Sequence, residues 1–166
     1  MDRNVMFSYH QWASQEMLNH IQALDDGIYD KQGENSFSSI KETLQHVIGV
    51  EKMWFMRMNG IEKPEFEHFE ISTPEGAKES FMLLHAEMEL FFSSLTEERW
   101  KETMSFQNRK GKSFQNTREE MHFTFINHAS YHRGQITSFL RQFGKEGIPL
   151  DFIYYKGAVP PENKDR

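Results

Sequence analysis

The segment from about Thr117 to Phe143 constrains the fold more than any other part of the chain. Met121, Phe125, His128, His132, Ile136, Phe139 and Phe143 recur there at steps of three and four, the spacing of one face of a helix. At about 100° per residue these side chains form one narrow stripe. A stripe of that length has to be buried against other helices, so it argues for a helical bundle. His128 and His132 lie near its centre. A helix stacks residues i and i+4 on one face, so both imidazoles can reach one ion. The competing reading is that each satisfies a hydrogen bond inside the core. Two stacked imidazoles cannot easily satisfy each other, which keeps the metal reading open.

Three other segments have the same period. Residues 4–24 carry Met6, Tyr9, Ala13, Met17, Ile21 and Leu24 on one face, with Trp12 beside it; His10 and His20 fall on flanking positions and are expected at a boundary or in solvent. Asp25, Asp26 and Gly27 end this helix. Ser39-Ile40-Lys41-Glu42 is a capping-box pattern that opens a second helix to Asn59, with Gly60 as its stop. Its apolar face is Ile40, Leu44, Val47, Ile48, Trp54, Phe55 and Met58; His46 lies off the centre of that stripe, and Gly49 offers room for another backbone. Thr73-Pro74-Glu75 opens a third helix with core positions Ala77, Phe81, Leu84, Met88, Phe91 and Leu95. A short helical turn is expected at Thr96 to Trp100. The period then changes to weak alternation over residues 103–107 and 112–115, around the turn Asn108-Arg109-Lys110-Gly111, which predicts a β-hairpin. Thr117-Arg118-Glu119-Glu120 is a second capping box. Residues 148–155 are apolar, contain Pro149 and read as an extended strap across the bundle.

These elements predict an all-α four-helix bundle with a short β-hairpin between helices 3 and 4. It forms one domain over residues 1–158, followed by a flexible tail at 159–166. The long connections before the second and third helices admit crossover topology as well as up-down-up-down. The chain has no cysteine, which removes disulfides, thiolate metal sites and cysteine nucleophiles and fits a reducing cytoplasm. A formal net charge of −6 gives no electrostatic reason to bind nucleic acid. No apolar run is long enough to cross a membrane, and the N-terminus shows no signal-peptide core.

A catalytic site for zinc or nickel takes a third protein ligand besides the histidine pair. His10, His20, His46 and His85 all lie on neighbouring helices, and spacing does not choose among them. Ala129 stands where a zincin would carry its glutamate base. A di-iron carboxylate bundle needs two Glu-x-x-His motifs on facing helices. The matches here are Glu119 to His122, at a helix start, and Glu65 to His68, in a linker. No Gly-rich phosphate loop and no nucleophile-elbow serine is present.

The run His128-Ala129-Ser130-Tyr131-His132-Arg133-Gly134-Gln135-Ile136 resembles the signature of the DinB family of bacterial metal-binding four-helix bundles. Leu44-Gln45-His46-Val47-Ile48 through Glu51 and Trp54 looks like that family's other marker, and the likeness extends over about Met6 to Tyr155. The resemblance implies a bundle with crossover connections, His46 as the third ligand beside His128 and His132, a divalent ion such as nickel or zinc, and homodimers. It also implies that Tyr131 and Arg133 shape a substrate mouth, that Gly134 admits a neighbouring helix, and that Gln135 orients a ligand or water. The implied functions are a metal-dependent enzyme acting on a small molecule, by transfer or isomerisation with a low-molecular-weight thiol or by hydrolysis, and a stress-induced protein in which the ion only braces the bundle.

Overall fold

The computed structural model describes residues 2–24 and 27–156. The elements in order are α1 (Arg3–Leu24), α2 (Ile40–Met58), α3 (Pro74–Ser93), α4 (Glu97–Lys101), β1 (Thr103–Gln107), β2 (Ser113–Thr117), α5 (Arg118–Gln142) and α6 (Phe152–Lys156). The helix starts follow the local chemistry. The Asp2 carboxylate accepts from the N–H groups of Asn4 and Val5, Thr73 accepts from Gly76 N–H ahead of Pro74, and Thr117 and Glu120 close a full capping box on α5. Each such cap contributes about 1 kcal/mol. The pattern at Ser39 is only half realised. Ser39 accepts from Glu42 N–H, but the Glu42 carboxylate turns back to Ser38 N–H and Oγ.

The four long helices neighbour one another in the cyclic order α1, α3, α2, α5. The connections from α1 to α2 and from α3 to α5 therefore cross a diagonal, whereas α2 and α3 are neighbours, so the long connection before the third helix is not a crossover. Phe81, Phe125, Phe139, Met17, Met88 and Met121 are among the fully buried side chains where these helices meet. The hairpin pairs Thr103 with Thr117 through Gln107 with Ser113. It is held to α2 by Arg57, whose guanidinium lies between Trp54 and Phe106 and donates to Gln107 O at 2.8 Å.

Several expectations change in the structure. The strap over residues 148–155 ends in the short helix α6, because Tyr9 and Trp12 offer ring edges to Phe152 and Tyr155. His10, placed at a boundary by periodicity, is 0% exposed. The buried face of α1 runs Phe7, His10, Ala13, Ser14, Met17, Leu18, Ile21, so the stripe is rotated toward Phe7. His122 is also buried, among Phe92, Trp100 and Phe125. At Gly49 the nearest neighbour is the Phe66 ring and not a backbone, and a Cβ there would lie 2.4 Å from it. A Cβ at Gly134 would meet no atom of another element within 4 Å among the described residues. Asp25, Asp26 and the tail at 159–166 lie outside the described residues.

Candidate metal centre

α2 and α5 pack side by side and bring His46, His128 and His132 together. The one-turn offset on α5 stacks His128 and His132, with ring centroids 4.4 Å apart. His46 enters from the facing helix. Its half-buried position, off the α2 stripe, is what lets it look out between the helices instead of into the core. The Nε2 atom of His128 lies 3.2 Å from that of His46 and 3.1 Å from that of His132.

The protonation of this cluster follows from its surroundings. Gln135 Oε1 lies 2.7 Å from His132 Nδ1. An amide oxygen only accepts, so Nδ1 carries the proton and Nε2 presents a lone pair to the cluster. The Gln135 amide nitrogen in turn donates to Ser36 Oγ and to the Tyr131 hydroxyl, and Asn35 donates to the Gln135 carbonyl. The loop before α2 is thereby pinned over the site. Burial is the first cause that pushes the three imidazoles below their ordinary value. His46 and His128 fall to about 4, His46 further lowered by His128 and His132 and His128 by His132, and His132 is lowered as well. All three rings are neutral near pH 7. Three neutral ring nitrogens facing one point at about hydrogen-bond separation are a donor set suited to a divalent cation, since one shared proton cannot serve all of them. Among the described residues no other His, Asp or Glu joins this cluster.

His46 also lines a cavity of about 540 Å³ with Phe37, Glu42, Gln45, Phe66, His68 and Arg109. Phe37 covers His46 and His132, with ring centroids 4.6 and 5.7 Å away. Tyr131 and Arg133, expected at the mouth, do not line this cavity. Tyr131 is exposed and braces Gln135. Arg133 is buried on the other side of α5.

That second side carries a cluster that periodicity missed. Glu51 on α2 is 0% exposed and sits between His10 of α1 and His85 of α3. Its Oε2 lies 2.8 Å from His85 Nε2, and its Oε1 lies 3.2 Å from His10 Nε2 without the alignment of a full hydrogen bond. The same three groups have metal-ligand spacing, but two observations argue against an ion. Arg133 Nη1 lies 3.2 Å from His10 Nδ1. A guanidinium only donates, so Nδ1 accepts and Nε2 bears the hydrogen, leaving no lone pair for a metal. The charges also balance already, with the Arg133 cation against the Glu51 carboxylate; a divalent ion would leave two uncompensated positive charges in the core. Burial first lowers His10 to about 4, so its ring is neutral. Burial alone would raise Glu51, but the coulombic pull of His10, and then its contacts with His10 and His85, outweigh it and hold the carboxylate well below its usual range. The cluster is a charge-balanced chain of close contacts across the bundle, hydrogen-bonded at Arg133–His10 and at Glu51–His85. The signal for His10 was its spacing of three from Phe7 and Ala13. No sequence signal paired it with Glu51. The di-iron motifs do not assemble, because Glu119 pairs with Arg3 at the surface and His122 packs among rings.

Fold and site together define a class: a helical bundle with diagonal crossovers and a three-histidine cluster between two of its long helices. The model of the DinB family matches residues 1–164, and the chain belongs to that family. It is similar to Protein DinB of Bacillus subtilis (strain 168), 27% identical over 158 residues, covering 90% of this chain and 91% of the relative. Two solved structures share the fold. A DinB-like protein from Bacillus cereus superposes with a TM-score of 0.67 at 17% identity, over 86% of this chain and 91% of that one. YfiT from Bacillus subtilis superposes with a TM-score of 0.68 at 13% identity, over 87% of this chain and 89% of that one. YfiT is described as a probable metal-dependent hydrolase with an unusual four-helix bundle topology.

Proposed function

We propose that this protein is a metal-dependent enzyme that holds one divalent ion, nickel or zinc, with His46, His128 and His132 and acts on a small molecule. The observation that carries the reading is the convergence of three neutral Nε2 atoms beside a cavity of about 540 Å³, with no fourth protein ligand among the described residues. Gln135, the other polar group near the stripe, is committed to His132, Tyr131 and Ser36 and does not close the sphere. A divalent ion bound there supplies Lewis acidity, lowering the pKa of a thiol or water that reaches its open position. Gln135 orients the His132 ring, and Phe37 and Phe66 shield His46 from bulk water. Thiol transfer or isomerisation, and hydrolysis, are the reaction classes this chemistry supports.

The test begins with elemental analysis of protein purified without a histidine tag, which should give about one ion per chain. Alanine at His128 or His132 should remove most of it, whereas alanine at His20 should not. Full metal content in both His128→Ala and His132→Ala rejects the site. Added thiol should then change the visible spectrum of cobalt-substituted protein at constant metal content. An indifferent spectrum, with unfolding on chelation, means that the ion only braces the bundle.

A further inference from the structure

The cavity beside His46 is not neutral ground. Arg109 stands at its rim, in the turn of the β-hairpin, with its guanidinium 4.6 Å from the centre of the Phe66 ring. No ion pair engages Arg109 among the described residues. Phe66 itself is fixed, because its ring fills the space that Gly49 leaves on α2. The turn is stapled as well. Asn108 Oδ1 accepts from the N–H groups of Lys110 and Lys112, both at 3.0 Å, and Gly111 takes the positive φ of 76° that the tight return requires. The guanidinium is therefore carried on a built platform.

Charge distribution gives the same direction. The chain as a whole is at −6, yet Arg109, Lys110 and Lys112 put three cations into four residues at this tip. The acidic group in the lining is Glu42, whose carboxylate is occupied by Ser38 N–H and Oγ. Glu65 and Glu67 flank Phe66 in sequence but do not line the cavity. A free, planar guanidinium stacked on an aromatic ring matches the paired oxygens of a carboxylate or phosphate. The surrounding cations raise the local concentration of anions at a mouth that the rest of the surface would repel them from.

From this we infer that the substrate of the site is a small anion, held at two points: its reactive head at the three-histidine cluster and its carboxylate or phosphate on Arg109. Phe37 and Phe66 flank His46 and form apolar walls between the two points. Arg109 is a specificity-determining residue in this arrangement. The inference rests on the open metal site proposed above.

The experiment separates the two ideas. Cobalt-loaded protein is titrated with 3-mercaptopropionate, 2-mercaptoethanol and 2-mercaptoethylamine, an anionic, a neutral and a cationic thiol. The wild type should prefer the anionic over the neutral thiol by about fivefold, the scale of a solvent-exposed charge pair, and the cationic thiol should bind weakest. Arg109→Gln should bring anionic and neutral thiols to equal affinity, Arg109→Glu should invert the order, and added salt should erode the wild-type preference. Equal affinity in the wild type, or an unchanged preference in Arg109→Gln, overturns the anion subsite while leaving the open metal intact. If no thiol alters the spectrum, the open-metal reading has failed. The subsite is then decided on metal-free protein by NMR: propionate should shift the Arg109 and His46 resonances in the wild type and leave His46 unmoved in Arg109→Gln. No shift in the wild type ends the proposal.

Discussion

Removing the Arg133 cation should expose how much of the bundle depends on this buried chain of contacts. Arg133 and Glu51 are 7% and 0% exposed, and each is the other's compensating charge through His10. In Arg133→Met the carboxylate stays buried with only neutral donors around it, a change that costs about 3–5 kcal/mol. Glu51→Gln leaves the guanidinium in the same position with the opposite sign and should cost a similar amount. A native domain has only about 5–15 kcal/mol in hand, so either variant is at the edge of folding at 37 °C. With a slope of about 2 kcal/mol per molar urea for a chain of this size, the midpoint should fall by roughly 2 M. The double variant removes both charges together. Its loss should be smaller than the sum of the two single losses by more than about 1 kcal/mol. The assay is equilibrium urea unfolding of the three variants by circular dichroism, with metal content measured alongside. Additive losses would refute the charge coupling. A second ion in the wild type, lost in Glu51→Gln, would refute the argument that balanced charge and the His10 tautomer keep metal out of this cluster.

Other perturbations follow from single contacts. Burial, aided by His10 and Arg3, lowers His122 to about 3 from an ordinary value of about 6.5. The folded state therefore binds fewer protons than the unfolded state between those values, so stability falls as pH drops from 6.5 toward 3 and is fully present above 6.5. The full swing is about 5 kcal/mol as an order of magnitude, and His122→Phe, among Phe92, Trp100 and Phe125, should flatten that slope in acid unfolding curves. Gln135→Ala frees His132 to take either tautomer and should weaken metal binding by about tenfold or more in competition with a chelator, with little change in urea midpoint; unchanged affinity would reject the orienting role. Gly49→Ala drives a methyl into the Phe66 ring, which should cost about 1–3 kcal/mol and displace the cavity wall, as read by urea unfolding. The outer face of α3 leaves Met82, Leu83 and Leu90 exposed, Leu90 at 76%; the homodimer that the family resemblance implies would give twice the monomer mass in light scattering, and a strict monomer at all concentrations would count against it.

Much of the architecture is legible in local chemistry. Helical periodicity, the cap at Thr73, the capping box at Thr117 and the turn at residues 108–111 involve only residues near one another in the chain, so the sequence by itself determined four long helices and a hairpin, though the second strand runs over Ser113–Thr117 and not over 112–115. The stacking of His128 over His132 belongs to the same level, because it needs only the rise of one helix. What periodicity cannot rank is a polar residue whose partner lies on another helix. His46 sits off its own stripe, and its place beside His128 depends on α2 packing against α5. His10 is polar by type and buried in fact because Glu51 and Arg133 meet it from two other helices. The diagonal order α1, α3, α2, α5 decides all of these meetings, and it is chosen by how whole helix faces fit, a property of the assembled bundle that no single segment encodes. The same holds at the rim. Arg109 reads as one residue of a turn until the tertiary fold lays Phe66 beneath it and opens the His46 cavity at its side.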